Sequence, residues 1–258
     1  MTVRFHRYVA IGDSQTEGLH DLDAGGELRG WADRFAGYLA EGNPDLLYAN
    51  LAIRGRRTAR IRADQLSPAL ALRPDLASVL AGANDVLGSF KLEETIADLE
   101  AMYAELRAVG ATVLGCTFPD PGATFSIARY LTPRVRALNA AIREAAARHD
   151  VILVDLEAHP AVADPRWWSR DRLHLNTAGH TRLAVAFADA LGVRPDLSWQ
   201  APLPPASPAV WWRSRIEDAD WAARYWVPWL VRHLRGRSTG DNRLPKRPLL
   251  APMTVLED

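Results

Sequence analysis

The sequence lacks several features that mark particular classes of protein. Its 258 residues include one cysteine, Cys116, so neither a disulfide framework nor a cysteine-rich zinc cluster can form within the chain. The N-terminal apolar run is too short for a signal peptide, and no stretch approaches the roughly 20 apolar residues of a membrane span. Lys+Arg and Asp+Glu both total 31, so the net charge favours neither nucleic acid nor membrane as a partner. We therefore expect a cytoplasmic protein.

What is present is typical of a globular α/β protein. Hydrophobic residues make up 48% and charged residues 24%, and a chain of this length can bury a large core. Short, nearly continuous apolar runs predict buried parallel strands, and three- and four-residue apolar spacing predicts helices between them. The predicted strands are 7–11, 46–51, 76–81, 112–117 and 150–155, and the predicted helices are 31–42, 57–72, 91–109, 131–148 and 177–191.

The composition changes after residue 194. Residues 195–208 are rich in proline, which neither helix nor strand interiors tolerate, so we interpret them as a linker. The expected organisation is a domain over 1–194, this linker, and a helical extension over 209–258, with its helix at 209–235 and an extended or poorly ordered end.

The extension is rich in tryptophan and arginine. Five of the nine tryptophans lie between residues 211 and 229, and a mostly basic stretch follows. We expect this helix to pack on the first domain. The alternatives are contact of 209–247 with a membrane surface or with a protein partner. Nucleic acid is not expected, because the tryptophans do not alternate with basic residues along a groove. The oligomeric state stays open.

Polar residues follow the predicted strands, whose carboxyl ends meet at one edge of an open α/β sheet. Ser14 follows the first strand, where a helix N-terminus would stabilise negative charge, although serine is also a common helix cap. Asp171 and His174 are spaced so that the carboxylate can orient the imidazole, although a surface pair has the same spacing. Gly55 and Asn84 have the donors of an oxyanion hole, although both residue types also occur in plain turns.

Taken together, these segments resemble the SGNH hydrolases, also called the GDSL esterase/lipase family. The resemblance covers roughly residues 5–192 and rests on four blocks in order. These are Gly12-Asp13-Ser14, residues 50–55 (NLAIRG), Gly82-Ala83-Asn84-Asp85, and Asp171-Arg172-Leu173-His174. Gln15 departs from the apolar or aromatic residue types most often associated with its position.

The resemblance implies a three-layer α/β/α sandwich around a five-stranded parallel sheet, a flavodoxin-like arrangement. It also implies ester hydrolysis through an acyl-enzyme, with Ser14 as nucleophile, His174 as base and Asp171 as its orienting acid. The N–H groups of Ser14 and Gly55 and the amide of Asn84 would bind the oxyanion. No metal or organic cofactor is implied. The substrate would be a small-molecule or lipid ester, and the alternative is an inactive scaffold whose extension binds a membrane or protein.

Three further positions complete the expectations. Trp167 and Trp168 precede Asp171 and are candidates for a substrate platform, although packing in the core is an equal alternative. Ser238 lies in a G-x-S-x-G sequence without the strand that a nucleophile elbow requires, so we expect a turn there. His20 lies six residues beyond Ser14, and we expect it at the surface, with lining of the substrate loop as the alternative.

Overall fold

The structure is a computed structural model that describes residues 4–205, 218, 220–228 and 238–253. Its centre is a mixed sheet with strand order β5-β4-β3-β1-β2-β6. Strands β1 to β5 are mutually parallel, and β6 pairs with β2 in the antiparallel direction. The strands are β1 Arg7–Gly12, β2 Leu47–Asn50, β3 Leu76–Leu80, β4 Thr112–Cys116, β5 Ile152–Val154 and β6 Arg247–Pro252.

Helices cover both faces of this sheet, so the predicted three-layer fold is confirmed. The apolar stripe of α6 packs with α8 on one face, whereas α2 and α9 pack together on the other. Each of the five predicted helices in residues 1–194 is present. The helices are α1 Ser14–Glu17, α2 Gly30–Gly42, α3 Thr58–Ile61, α4 Ser67–Ala71, α5 Ala83–Val86, α6 Leu92–Ala108, α7 Pro121–Thr124, α8 Thr132–Arg148 and α9 Thr177–Ala190.

Shorter helical segments connect these elements. A π-helical segment, Arg62–Leu66, joins α3 to α4, so residues 58–71 form one helical unit, as the apolar pattern predicted. Turns of 3-10 helix lie at Ser126–Leu131, Leu156–Ala158, Pro160–Ala163, Pro165–Trp167 and Leu197–Gln200. No helix of the described residues is long and apolar enough to cross a membrane.

The sheet has six strands, whereas five were expected. The additional strand, β6, comes from the C-terminal extension, and its Tyr48↔Ala251 register places it along the edge of β2. Pro248 and Pro252 are compatible with this place because an edge strand leaves some N–H positions unpaired. Lys246, just before β6, is half-buried, and its Nζ lies 2.9 Å from an Asp33 carboxylate oxygen. Residues 247–252 of the extension therefore belong to the same sheet as the first domain.

The predicted helix over 209–235 lies largely outside the described residues. Residues 220–228 are helical and include a π-helical segment, Ala222–Trp226. Whether 195–208 separates two independent units stays a prediction.

Candidate active site

Ser14 lies at the carboxyl end of β1, on the first residue of α1. The turn before it is tight, because a Cβ on Gly12 would lie 2.8 Å from the carbonyl oxygen of Leu80. The Asp13 side chain caps α1 by accepting from the N–H of Gln15 at 3.1 Å. Ser14 is thus held, 7% exposed, at a helix start where N–H groups lack intrahelical acceptors.

The π-helical segment supplies a clamp for this turn. The buried Gln65 accepts from the N–H of Gly12 at 2.8 Å and donates from its Nε2 to the carbonyl of Gly12 at 2.9 Å. A two-point amide contact of this kind fixes both the position and the direction of the backbone that leads into Ser14.

His174 and Asp171 complete a continuous chain of hydrogen bonds with Ser14. His174 Nε2 lies 2.8 Å from Ser14 Oγ, and His174 Nδ1 lies 2.6 Å from Asp171 Oδ2. The remaining carboxylate oxygen, Oδ1, accepts from Ser169 Oγ at 2.5 Å and from the N–H groups of Leu173 and His174 at 3.0 Å each. With Nδ1 donating to Asp171, Nε2 is the acceptor that faces the hydroxyl.

The environment keeps Asp171 ionised. Burial by itself raises the pKa of a carboxyl group, but hydrogen bonds from His174, His20 and Ser169 outweigh it and hold the pKa of Asp171 far below its usual value. A permanent negative charge at this position stabilises an imidazolium on His174.

Gln15 holds the His174 loop against α1. Its Nε2 donates to the carbonyl of Leu173 at 3.0 Å, and its Oε1 accepts from the N–H of Leu175 at 3.3 Å. The residue that departs from the usual family types therefore contacts both neighbours of His174, a contact that the apolar side chains of Ile or Leu cannot make.

His20 is also part of this site. We expected it at the surface, and that expectation did not include its contact with Asp171. Its Nε2 lies 2.9 Å from Asp171 Oδ2, and its ring centroid is 5.4 Å from that of His174. Its side chain is 43% exposed and lines the pocket, the alternative considered from the sequence. No local signal could have revealed the contact, because residues 20 and 171 meet through the tertiary fold.

The predicted oxyanion donors gather beside Ser14. Gly55 has a φ of +72°, and within the described chain neither its N–H nor that of Ser14 donates to a protein acceptor. Asn84 lines the same pocket, but its Nδ2 donates to Asp13 Oδ2 at 2.9 Å and to the carbonyl of Arg56 at 3.1 Å. Both hydrogens of this amide thus have protein acceptors. Asn84 can bind an oxyanion by sharing or releasing one of them.

Asp13, which accepts from Asn84, is itself buried beside the nucleophile. Burial raises its pKa to about 6, even though hydrogen bonds from Gln15 and Asn84 act in the opposite direction. The protonation state of Asp13 therefore changes the strength of the acceptor that holds Asn84.

The pocket around Ser14 has a volume of about 880 Å³. Four arginines of the loop and helix after β2 line it, of which Arg54 forms an ion pair with Glu17 at 2.5 Å. Much of the remaining lining is apolar. These apolar residues include Val86, Leu87, Phe118, Phe125, Ile127, Leu131, Val135 and Leu138. The pocket is large enough for a substrate of drug-like size.

The C-terminal extension contributes to the wall of this pocket. Trp221 Nε1 donates to the carbonyl of Asp171 at 2.8 Å, and Arg172 lies between the rings of Trp221 and Phe125 at 5.3 and 5.5 Å from their centroids. Further lining residues from the extension are Ala222, Tyr225, Ser238 and Thr239.

The two candidate platform tryptophans have different surroundings. Trp168 lines the pocket around Ser14 and meets Phe125 edge-on at 6.5 Å between ring centroids. Trp167 instead lines an adjoining apolar cavity of about 60 Å³, with Arg182 4.2 Å over its ring. The structure therefore brings one of the two, Trp168, to the pocket around Ser14.

Ser238 lies in the pocket wall next to Gly55. Its Oγ is 3.3 Å from the carbonyl of Gly55 and accepts from the N–H of Gly240 at 3.2 Å. Within the described residues no histidine or carboxylate contacts this hydroxyl, so Ser238 has a structural contact but no base.

One group of described residues has the donor spacing of a metal site. The ligand atoms of His20, Asp171 and His174 lie within 4.8 Å of one another. Each of these atoms is already in a hydrogen bond within the group, at 2.6 or 2.9 Å. We therefore assign the three residues to the hydrogen-bond chain and not to a metal.

Comparison with known families decides the identity. The model of the GDSL-like Lipase/Acylhydrolase family matches residues 10–182. The chain belongs to the GDSL-like lipase/acylhydrolase family. A comparison with curated proteins gives no match.

Solved structures share the fold of this GDSL-like protein at low sequence identity. LAE5, an alpha/beta hydrolase enzyme from the metagenome of Lake Arreo, Spain, is 23% identical over 73% of this chain and 95% of its own, with a TM-score of 0.63. A catalytic mutant of Axe2, an acetylxylan esterase from Geobacillus stearothermophilus, is 21% identical over 74% of this chain and 97% of its own, with a TM-score of 0.63. TesA is 23% identical over 72% of this chain and 98% of its own, with a TM-score of 0.61. Family and neighbours together support a hydrolase.

Proposed function

We propose that this GDSL-like protein is a serine hydrolase of carboxylic esters, with Ser14, His174 and Asp171 as its catalytic triad. The observation that carries the proposal is the hydrogen-bond chain from Ser14 Oγ through both imidazole nitrogens of His174 to Asp171, at 2.8 and 2.6 Å. This order of hydroxyl, imidazole and partly buried carboxylate matches the roles of nucleophile, base and orienting acid.

The proposed reaction has two half-reactions. Ser14 Oγ attacks the ester carbonyl carbon while its proton passes to His174 Nε2. The carbon–oxygen bond to the alcohol then breaks, and the alcohol leaves with the proton from His174. Water next attacks the acyl-Ser14 ester, with His174 again taking a proton, and the carboxylic acid leaves as the hydroxyl of Ser14 is restored.

Negative charge on the carbonyl oxygen needs donors that are already in place. The N–H groups of Ser14 and Gly55 supply two, and we assign Asn84 Nδ2 as the third. Asn84 joins them by weakening its contact with the carbonyl of Arg56, the longer of its two hydrogen bonds at 3.1 Å.

The pocket favours an ester with an apolar part of substantial size, such as a lipid or an acylated small molecule. The apolar wall suits an acyl chain or an aryl group, and Trp168 offers a ring face beside it. We further propose that the helical extension packs on the first domain, as the contact of Trp221 with Asp171 supports. Contact of residues 209–247 with a membrane surface or with a protein partner is the alternative, and co-sedimentation of the full chain with anionic vesicles would reveal the membrane contact.

Covalent labelling with a fluorophosphonate tests the proposal. We expect a single adduct on Ser14, located by peptide mapping, and no adduct in Ser14→Ala. Ser238→Ala is a matched control, because Ser238 lines the same pocket without a base, and this variant should label like the parent. A folded parent protein that stays unlabelled, or that is labelled on Ser238, contradicts the proposal and favours the inactive scaffold.

A further inference from the structure

Two histidines share one oxygen of the proposed triad carboxylate. Asp171 Oδ2 lies 2.6 Å from His174 Nδ1 and 2.9 Å from His20 Nε2. His174 is buried, whereas the His20 side chain is 43% exposed toward the pocket. His20 therefore connects the proposed triad to the surrounding solution.

The backbone holds His20 in place on both sides. Its φ of +66° lies in the left-handed region, which only a few per cent of residues other than glycine adopt, histidine being among the more frequent of them. On one side, the carbonyl of Leu19 lies 3.0 Å from Nε2 of the buried His180. On the other side, the fully buried Asp21 accepts from Arg34 Nε at 2.8 Å. An unfavourable conformation fixed by its neighbours indicates that the position is determined by the fold.

We infer that His20 is a positioning residue that orients Asp171 through its Nε2–H and weakens the His174 base when His20 itself gains a proton. This inference rests on the proposed function, because it concerns the same triad.

Among the described residues, few charged groups face His20. From the loop before α9 they are Asp171 and His174, and from the loop after β2 it is Arg54, which is paired with Glu17. The hydrogen bond to Asp171 raises the pKa of His20 above its usual value of 6.5, although partial burial and Arg54 lower it. The protonated form is therefore populated at higher pH than in a free histidine.

Protonation of His20 opposes the chemical step. A positive charge on this ring lies 5.4 Å, between centroids, from the imidazole of His174, which must become positive as it takes the Ser14 proton. Two like charges at this distance in a partly wet pocket slow the step by about 10-fold. The parent protein should lose this factor as the pH falls through the pKa of His20.

The test is the pH dependence of fluorophosphonate inactivation in the full chain. His20→Gln keeps an amide donor for Asp171 but cannot titrate. We expect the parent and this variant to react within about 3-fold of each other near pH 8.5, at the alkaline end of the profile. The quantity compared is the ratio of the inactivation rate of the parent to that of His20→Gln. This ratio should be about 10-fold lower near pH 5.5 than near pH 8.5.

Two further variants keep the result interpretable. His20→Asn suits the left-handed backbone but is too short for the contact, so it should be slower near pH 8.5 and should also lack the additional pH-dependent loss. His149, whose Nε2 lies 3.6 Å from Glu100, is a histidine–carboxylate pair away from the site, and His149→Gln should follow the parent at every pH.

A constant ratio between parent and His20→Gln across the pH range would overturn the inference. So would a His20→Asn variant that matches the parent at every pH. If Ser14 is labelled in all variants while either result is found, the inference about His20 fails and the proposed function stands. If Ser14 is not labelled in the folded parent, the proposed function itself fails.

Discussion

The contact between the C-terminal extension and Gly55 allows a quantitative test with one methyl group. Gly55 has a φ of +72°, and a Cβ built on it lies 2.4 Å from Ser238 Oγ. Gly55→Ala therefore adds left-handed strain of roughly 1–2 kcal/mol and a steric overlap of about 1–3 kcal/mol. For a chain of this size, the expected decrease in melting temperature is about 2–4 °C per kcal/mol.

A second glycine separates the cost of backbone strain from the cost of steric overlap. Gly26 has a φ of +82°, and nothing lies within 4 Å of a Cβ built on it, so Gly26→Ala should show the strain alone. Calorimetry should therefore find a larger loss of stability in Gly55→Ala than in Gly26→Ala. Combining Gly55→Ala with Ser238→Ala should remove the overlap and restore the stability that it costs. A double-mutant cycle should therefore give a coupling free energy of about 1–3 kcal/mol.

The same substitution tests the proposed oxyanion role of Gly55. Relief of the overlap must move either residues 238–239 or the Gly55 backbone. Movement of the Gly55 N–H should reduce kcat on an aryl ester by up to about 10²–10³-fold, whereas Gly26→Ala should keep the parent rate. Equal losses of stability in Gly55→Ala and Gly26→Ala, with no coupling to Ser238, would refute the packing of the extension against this loop.

Two further predictions concern the residues beside Ser14. Asn84→Ala should reduce kcat by about 10²–10³-fold with the circular dichroism spectrum unchanged, and full activity would remove Asn84 from the oxyanion hole. Asp13→Asn should raise the free energy of unfolding near pH 7. The folded pKa of Asp13, about 6, lies above the usual 3.8, so this group destabilises the fold as the pH rises through that window, by about 3 kcal/mol above it. The gain in the free energy of unfolding should disappear below about pH 4. A gain that does not change with pH would show that the raised pKa of Asp13 is not its cause.

The sequence alone predicted the three-layer fold and the residues that we propose for the main site. Strands and helices follow from local apolar periodicity, which is a property of neighbouring residues. The rule that parallel strands end at one edge then placed Ser14, Gly55 and Asn84 near one another, and it gave Asp171 and His174 their place in the same loop cluster.

The tertiary structure alone decided which side chains complete the site. His20 contacts Asp171, and Gln15 contacts the neighbours of His174, across sequence separations of more than 150 residues that no local pattern encodes. The tertiary structure also decided that Asn84 is hydrogen-bonded to Asp13. It further decided that the extension adds β6 to the sheet and Trp221 to the pocket wall. The physical reason is that these contacts depend on how loops and the chain end pack after the sheet has formed, and hydrogen-bond partners there are chosen by distance in space and not by spacing along the chain.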